Sequence, residues 1–340
     1  MDKKSRKTNT QIPVVHNDDV MFFLNLCKDL DDNFYRLLRK ALIPNDIKNN
    51  KTHYVYLPET TIKNLILLLG ENMPIDQFTV LISQQCRAYY IPQFIKQLNQ
   101  PDSFQSAIKE LSQNLKLRSS HSQLYTQYAG EKWWLVREKE GINEEWFEYA
   151  EIFSVIFMYE LLTLLTNGKW SPSEIGIQSK NAEKFIFIPG LENAIFFTER
   201  PVTAFYIPDD IINMPMSLTK NLTPPLVSTS PQASHDFLDS FKLAITPYLS
   251  TGKLPIKIAS DILGMNVRTL QRRLKNEGVI YSEVIEEIIL EKTIYLLKSP
   301  HLSIMQIASM MGYSDSAHFT RAFKRTMNIT PSKFRTTLNE

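Results

Sequence analysis

Between residues 256 and 335 the chain states one local pattern twice, and a self-repeat at short period restricts a fold more than composition does. The first copy is Ala259-Ser260-Asp261-Ile262-Leu263-Gly264 followed by Leu270-Gln271-Arg272-Arg273-Leu274-Lys275. The second is Ile307-Ala308-Ser309-Met310-Met311-Gly312 followed by Phe319-Thr320-Arg321-Ala322-Phe323-Lys324. Each predicts an apolar helix of about two turns that stops at a Gly, then a second helix with apolar residues at three-to-four spacing. Six positions separate Gly264 from Leu270 and seven separate Gly312 from Phe319, so the second turn carries one extra residue. Beyond it the pattern apolar-x-Arg-x-apolar-Lys runs in step in both copies. A duplicated helix, Gly turn and basic second helix is the signature of a double helix-turn-helix.

The rest of the chain sorts around this repeat. Its 340 residues and 39.4 kDa allow two or three domains, each with its own core. Residues 1–12 are polar and basic without an apolar run, which predicts a disordered tail and no signal peptide. Residues 13–216 read as an α+β regulatory domain. Helices are expected within 17–42 and over 60–69, 76–88, 91–98 and 102–116, with an extended piece at Tyr54 to Pro58. Next comes a hairpin around Gly130-Glu131 that carries Tyr125, Tyr128, Trp133 and Trp134, a helix capped by Asn143 that runs to about Thr166, and strands at 175–177, 185–188, 194–197 and 203–207. Residues 217–235 fill with Ser, Thr, Pro and Asn and read as a linker. From 236 to 340 an all-α domain is expected, its two helix-turn-helix units joined by a linker helix over 283–298. Ser303 and Gln306 form a capping-box pattern ahead of the second unit.

Charge follows the repeat. The whole chain has a net charge of only +2, yet from Asp236 onward fourteen Lys and Arg stand against ten Asp and Glu. Residues 268–275 hold four cations and no acid, and residues 318–325 hold three and no acid. That is an electrostatic footprint for phosphate. A helix fits the major groove of B-DNA, and the side chains between its core positions reach base edges. With Leu270 and Leu274 in the core, Arg268, Thr269, Gln271 and Arg272 face outward. With Phe319 and Phe323 in the core, Ser316, Ala317, Thr320 and Arg321 do. Arg bridges guanine O6 and N7, Gln bridges adenine N6 and N7, Ser and Thr bond either way, and Ala touches the thymine methyl. Arg273, Lys275, His318, Lys324 and Arg325 are assigned to the DNA backbone, which positions without specifying. Double-stranded DNA is therefore the expected partner.

Residues 236–338 resemble the DNA-binding domain of AraC/XylS-type regulators. The resemblance rests on Leu263-Gly264-Met265-Asn266, on 268–274, and on Glu291 to Leu297. It continues through Ile307-Ala308, Gly312-Tyr313, His318-Phe319-x-Arg321-x-Phe323-Lys324 and Ile329-Thr330-Pro331 to Phe334-Arg335. Three positions depart from that pattern: Ile289 stands for a usual Arg, Asn328 for a usual Gly, and Ser260 for a common Ala. Leu57-Pro58, Trp170-Ser171-Pro172-x-x-Ile175, Phe196-Phe197 and Ile207-Pro208-x-x-Ile211 to Pro215 are similar to the "arabinose-binding" type regulatory domain, a historical name that implies no sugar. The resemblance implies a bacterial, cytoplasmic transcription regulator, an activator that contacts RNA polymerase at promoter DNA, with residues 13–216 sensing a small-molecule effector or forming a homodimer. A regulator without an effector, controlled by its abundance, is the first alternative.

Chemistry finds little support in the sequence. No GxSxG, HExxH, phosphate-loop or GxGxxG pattern occurs, and the six His (16, 53, 121, 235, 301, 318) show no metal-ligand spacing. No cofactor and no metal is expected. An enzyme that carries an AraC-like domain, such as a DNA-repair methyl-transfer protein, needs an activated thiolate. Cys27 and Cys86 are the only cysteines, and neither has the cationic surroundings that activate one. The most apolar long stretch, Trp146 to Leu165, holds Glu148, Glu151 and Glu160, so it reads as a buried or dimer-forming helix and not as a membrane span.

Overall fold

A computed structural model describes residues 11–30, 33–48, 54–216, 236–251 and 254–338. Residues 1–10 of the expected tail over 1–12, and the linker over 217–235, lie outside the described residues, while Ile12 is buried. The chain divides into two compact units, one within Pro13–Asn45 and Thr61–Ala233, the other within Met1–Ile12, Asp46–Thr60 and Ser234–Glu340.

The N-terminal unit opens with β1 (Val14–His16), α1 (Asn17–Leu26) and α2 (Phe34–Lys40). After β2 (Tyr56–Pro58), which belongs to the other unit, come α3 (Thr60–Glu71), α4 (Ile75–Gln85), α5 (Ile91–Ile95) and α6 (Phe104–Arg118). Where two separate helices are expected over 76–98, α4 and α5 join through a π-helical turn at Cys86–Tyr90, in which the Ile91 N–H donates to the Cys86 carbonyl. Pro92 lacks an N–H and its ring crowds the carbonyl four residues back. The wider turn just before it makes that room, so the helix continues where a break is expected.

The hairpin forms as expected from β3 (Gln123–Ala129) and β4 (Lys132–Glu138), with Ala129 opposite Lys132. Gly130 and Glu131 both take φ of 59°, the two left-handed residues that match a two-residue loop to the strand twist. Helix α7 (Phe147–Leu165) begins later than expected. Asn143 does not cap it; the Glu144 N–H donates to Gly141 O and the Phe147 N–H to Glu144 O, a pair of turns ahead of the helix. Then follow β5 (Glu174–Gly176), β6 (Ile195–Phe197), β7 (Thr203–Ile207) and α8 (Asp209–Ile212). The expected strand at 185–188 is instead a 3-10 turn at Phe185–Phe187: the Phe185 and Ile186 N–H groups close locally on Ala182 O, which buries Phe185 and leaves Ile186 and Phe187 exposed.

One mixed sheet of five strands runs β3-β4-β7-β5-β6, antiparallel except for the β5–β6 pair. Buried within this unit, α7 explains its composition: it is apolar around nearly its whole circumference because nearly all of it is covered. Its carboxylates are satisfied. Glu151 accepts from the Gln178 and Ser179 backbone N–H groups and from the Ser179 and Thr203 hydroxyls, and Glu160 accepts both Nε and Nη2 of Arg87 at 2.8 and 2.9 Å. No described helix is long and apolar enough to cross a membrane.

In the C-terminal unit α9 (Phe237–Ile245), α10 (Ile256–Ile262), α11 (Val267–Asn276), α12 (Tyr281–Leu297), α13 (Ile304–Met310), α14 (Ser316–Met327) and α15 (Pro331–Leu338) follow one another. Leu296, Leu297, Ile307, Phe319 and Phe323 form the core of its second half, with Ile289 packed against them. The position where the family pattern has Arg thus joins an apolar cluster. Residues 46–48 and 54–60 complete this unit although they lie far off in sequence. Strand β2 packs on α9, Tyr56 and Leu57 are buried, the Tyr54 hydroxyl donates to Asp46, and the Ile12 N–H donates to the Ser240 hydroxyl of α9 at 2.9 Å.

Candidate nucleic-acid interface

The two halves of the repeat fold into the same turn. After α10, Gly264 takes φ of +63°, its N–H donates to Asp261 O, and the Met265 N–H donates to Ser260 O. After α13, Gly312 takes φ of +74°, its N–H donates to Ser309 O, and the Tyr313 N–H donates to Ala308 O. Both are Schellman closures, in which a left-handed residue brings two amides back onto the last helical carbonyls. The Asn266 side chain then accepts from the Thr269 N–H at 2.8 Å to start α11, and Asp315 accepts from the His318 N–H at 2.6 Å to start α14. That amide is also the first cause holding the Asp315 carboxyl below its ordinary value. The extra residue of the second turn falls between its Gly and its cap. Ser303 and Gln306 close a reciprocal capping box ahead of α13, and Asn328 ends α14 at φ of 58° in place of a Gly.

A Cβ built on Gly264 would lie 3.2 Å from the Thr60 hydroxyl, in a backbone conformation that costs an L-residue roughly 1–2 kcal/mol. Gly264→Ala is therefore expected to lower the stability of the C-terminal unit by about that amount, read as a lower denaturant midpoint with unchanged slope.

Helix α11 buries Leu270 and Leu274 and exposes Arg268, Gln271, Arg272 and Lys275, with Thr269 half-buried. Arg273 points elsewhere. It is half-buried, and its guanidinium lies 5.6 Å from the Phe237 ring centroid, so it ties α11 to α9. Helix α14 buries Phe319 and Phe323 and exposes Ala317, His318, Arg321, Lys324 and Arg325. Ser316 and Thr320 are half-buried, and the Thr320 hydroxyl donates to the Ser316 carbonyl at 2.7 Å. The His318 ring meets Tyr313 edge-on at 5.4 Å. Among the described residues no ion pair engages Arg268, Arg272, Lys275, Arg321, Lys324 or Arg325. Each of these two helices therefore presents unpaired cations on the side opposite its core face.

Sequence reasoning missed two supporting contacts. Arg273 is one, because an Arg beside Arg272 in a basic run carries no sign that an aromatic residue thirty-six positions earlier will receive it. Arg335 is the other: its Nε donates to Leu297 O at 3.1 Å and so holds the end of α12. Tyr128 is exposed and packs edge-on against Trp133, and the Trp134 indole donates to Ala129 O beside the turn.

Cys27 and Cys86 are free thiols. Both are buried, and burial pushes the Cys27 thiol up to about 12 and the Cys86 thiol higher, with Glu160 adding to the second. Labelling by a thiol reagent at neutral pH is expected to wait on unfolding at both positions. No group of three His, Cys, Asp or Glu among the described residues could hold a metal ion.

The sequence that carries these turns has counterparts among known proteins. Residues 259–337 fit the family model described as a helix-turn-helix domain. The chain is 32% identical over 99 residues to the HTH-type transcriptional regulator VqsM of Pseudomonas aeruginosa, spanning 29% of this chain and 28% of that one. It is 36% identical over 87 residues to the HTH-type transcriptional regulator VirS of Mycobacterium tuberculosis, 26% of each. A solved transcriptional regulator with an AraC-type DNA-binding domain, from Chromobacterium violaceum, is 26% identical over 28% of this chain and 88% of that one, with a TM-score of 0.26. The chain thus spans little more than a quarter of the curated relatives it matches. Its C-terminal region is a helix-turn-helix domain, the class of DNA-binding module that the paired turns define. Within that class it is similar to AraC-type DNA-binding domains.

Proposed function

We propose that the protein is a sequence-specific transcription regulator that reads promoter DNA with two recognition helices, α11 and α14. The observation that carries this reading is the repeated pairing of one Schellman turn with one basic helix, on which Arg268, Arg272, Lys275, Arg321, Lys324 and Arg325 make no ion pair among the described residues. Arg268, Thr269, Gln271 and Arg272 on α11, and Ser316, Ala317, Thr320 and Arg321 on α14, are the base-reading set. Lys275, His318, Lys324 and Arg325 meet the phosphates, as does whatever part of the Arg273 guanidinium its contact with Phe237 leaves free. Helix α12, seventeen residues or about 25 Å long, spaces the two units so that they enter successive major grooves about 34 Å apart. As the AraC/XylS relationship implies, the protein activates by contacting RNA polymerase in the cytoplasm, and the N-terminal unit senses an effector or pairs with a second copy. No step of this reading needs catalysis.

Genomic fragments recovered on the intact protein test it. The expected result is a shared asymmetric element whose two halves repeat about one helical turn apart. Recovery governed by salt alone, without a common element, would overturn the reading.

A further inference from the structure

Ile12 stands one residue ahead of the N-terminal unit in sequence, yet it belongs to the C-terminal unit. It is 1% exposed, and its N–H donates to the buried Ser240 hydroxyl of α9 at 2.9 Å. A terminal segment is placed only where its amides and side chains find partners, and this one finds them on α9.

Helix α9 is also the helix that receives the first recognition helix. Phe237, three residues before Ser240, takes the Arg273 guanidinium of α11 at 5.6 Å. Three helical residues rise about 4.5 Å. The anchor of the N-terminal segment therefore lies within about one helical turn of the contact that holds α11, all inside one compact unit.

Ahead of that anchor the sequence is basic. Residues 1–10 hold Lys3, Lys4, Arg6 and Lys7 against one carboxylate, Asp2. These cations stand five to nine positions before Ile12. At no more than ~3.6 Å per residue the covalent chain lets them reach up to about 18–32 Å from it. That is comparable with one turn of duplex DNA, about 34 Å.

We propose that residues 1–10 are a DNA-binding arm whose four cations meet backbone phosphates, adding affinity without reading sequence. The arm deepens the regulator reading and rests on it for the presence of DNA. Phosphate suits these residue types, because Lys and Arg neutralise it and release its counterions. Two exposed carboxylates, Asp236 and Asp239, lie on the first turn of α9 and compete for the arm. Duplex DNA offers a charge about every 1.7 Å, a far denser target.

The test uses the full chain and the variant Lys3→Ala/Lys4→Ala/Arg6→Ala/Lys7→Ala. Affinity is measured at several salt concentrations on a duplex recovered from the genomic selection and on its scrambled counterpart. The variant is expected to bind both more weakly by the same factor. The slope of log affinity against log salt should fall by about two to four, with the unfolding midpoint unchanged. Lys109→Ala/Lys116→Ala/Lys169→Ala/Lys180→Ala removes the same charge from exposed positions of the N-terminal unit. Its slope is expected to stay within about one of the wild type. An unchanged slope in the arm variant, or an equal fall in the control, overturns the arm. Tighter DNA binding by the arm variant also overturns it, since the cations would then be held by Asp236 and Asp239. Equal wild-type affinity for the two duplexes overturns the regulator reading instead. The salt slopes still decide the arm in that case, because phosphate contact needs no base readout.

Discussion

Arg272→Ala/Arg321→Ala is expected to weaken specific DNA binding by about 10²–10⁴-fold while leaving the unfolding midpoint of the C-terminal unit unchanged. Both side chains are exposed on helices whose opposite faces are in the core, and neither has an ion-pair partner among the described residues. Their removal costs the fold little. A bidentate Arg–guanine pair discriminates by ~1–3 kcal/mol, and two sites on separate helices act nearly additively. Lys324→Ala should behave differently. It should weaken binding to all sequences alike and reduce the salt slope by about one. Affinities of both variants on one cognate and one scrambled duplex, at two salt concentrations, separate the two roles. An equal loss on both duplexes for the Arg pair would show that α11 and α14 do not read bases.

The second large effect concerns stability. Asp19→Ala is expected to cost about 3–5 kcal/mol, because it leaves the Arg118 guanidinium buried with no carboxylate. Arg118 is 8% exposed and Asp19 4%, and the Tyr90 hydroxyl loses its acceptor in the same step. For a unit of this size that loss corresponds to a fall in Tm of roughly 6–20 °C. Asp19→Ala/Arg118→Met should recover most of it, since replacing a buried pair by apolar groups is often neutral. A double variant as unstable as the single one would mean that the pair fixes local geometry beyond its charge.

How far the sequence spoke depended on how local the governing interactions are. Helix α11 buries Leu270 and Leu274 as expected, and the capping box at Ser303 and Gln306 forms, because caps, Gly stops and apolar spacing act within a few residues. The Gly130-Glu131 hairpin was legible for the same reason. Phe185 was not: an apolar run of four suits a strand or a turn equally, and local closure on Ala182 decided it. Asn143 carries a capping side chain, but the turns closing on Gly141 and Glu144 carry the chain past it before α7 begins. At the interface the exposed cations of α11 and α14 followed from periodicity alone. The destination of Arg273 did not, because Phe237 receives it from a different helix.

Strand β2 has a practical corollary for anyone dissecting or shuffling such regulators. A fragment begun at the linker would leave α9 with the apolar face that Tyr56 and Leu57 cover. It would also lack Asp46, the carboxylate that favours the charged form of the Lys292 ammonium against burial. A transplanted C-terminal module needs residues 46–60 grafted back, by circular permutation or as a separate strand. Swaps made at the linker alone would then give poorly folded chimeras whose silence at a promoter says nothing about specificity.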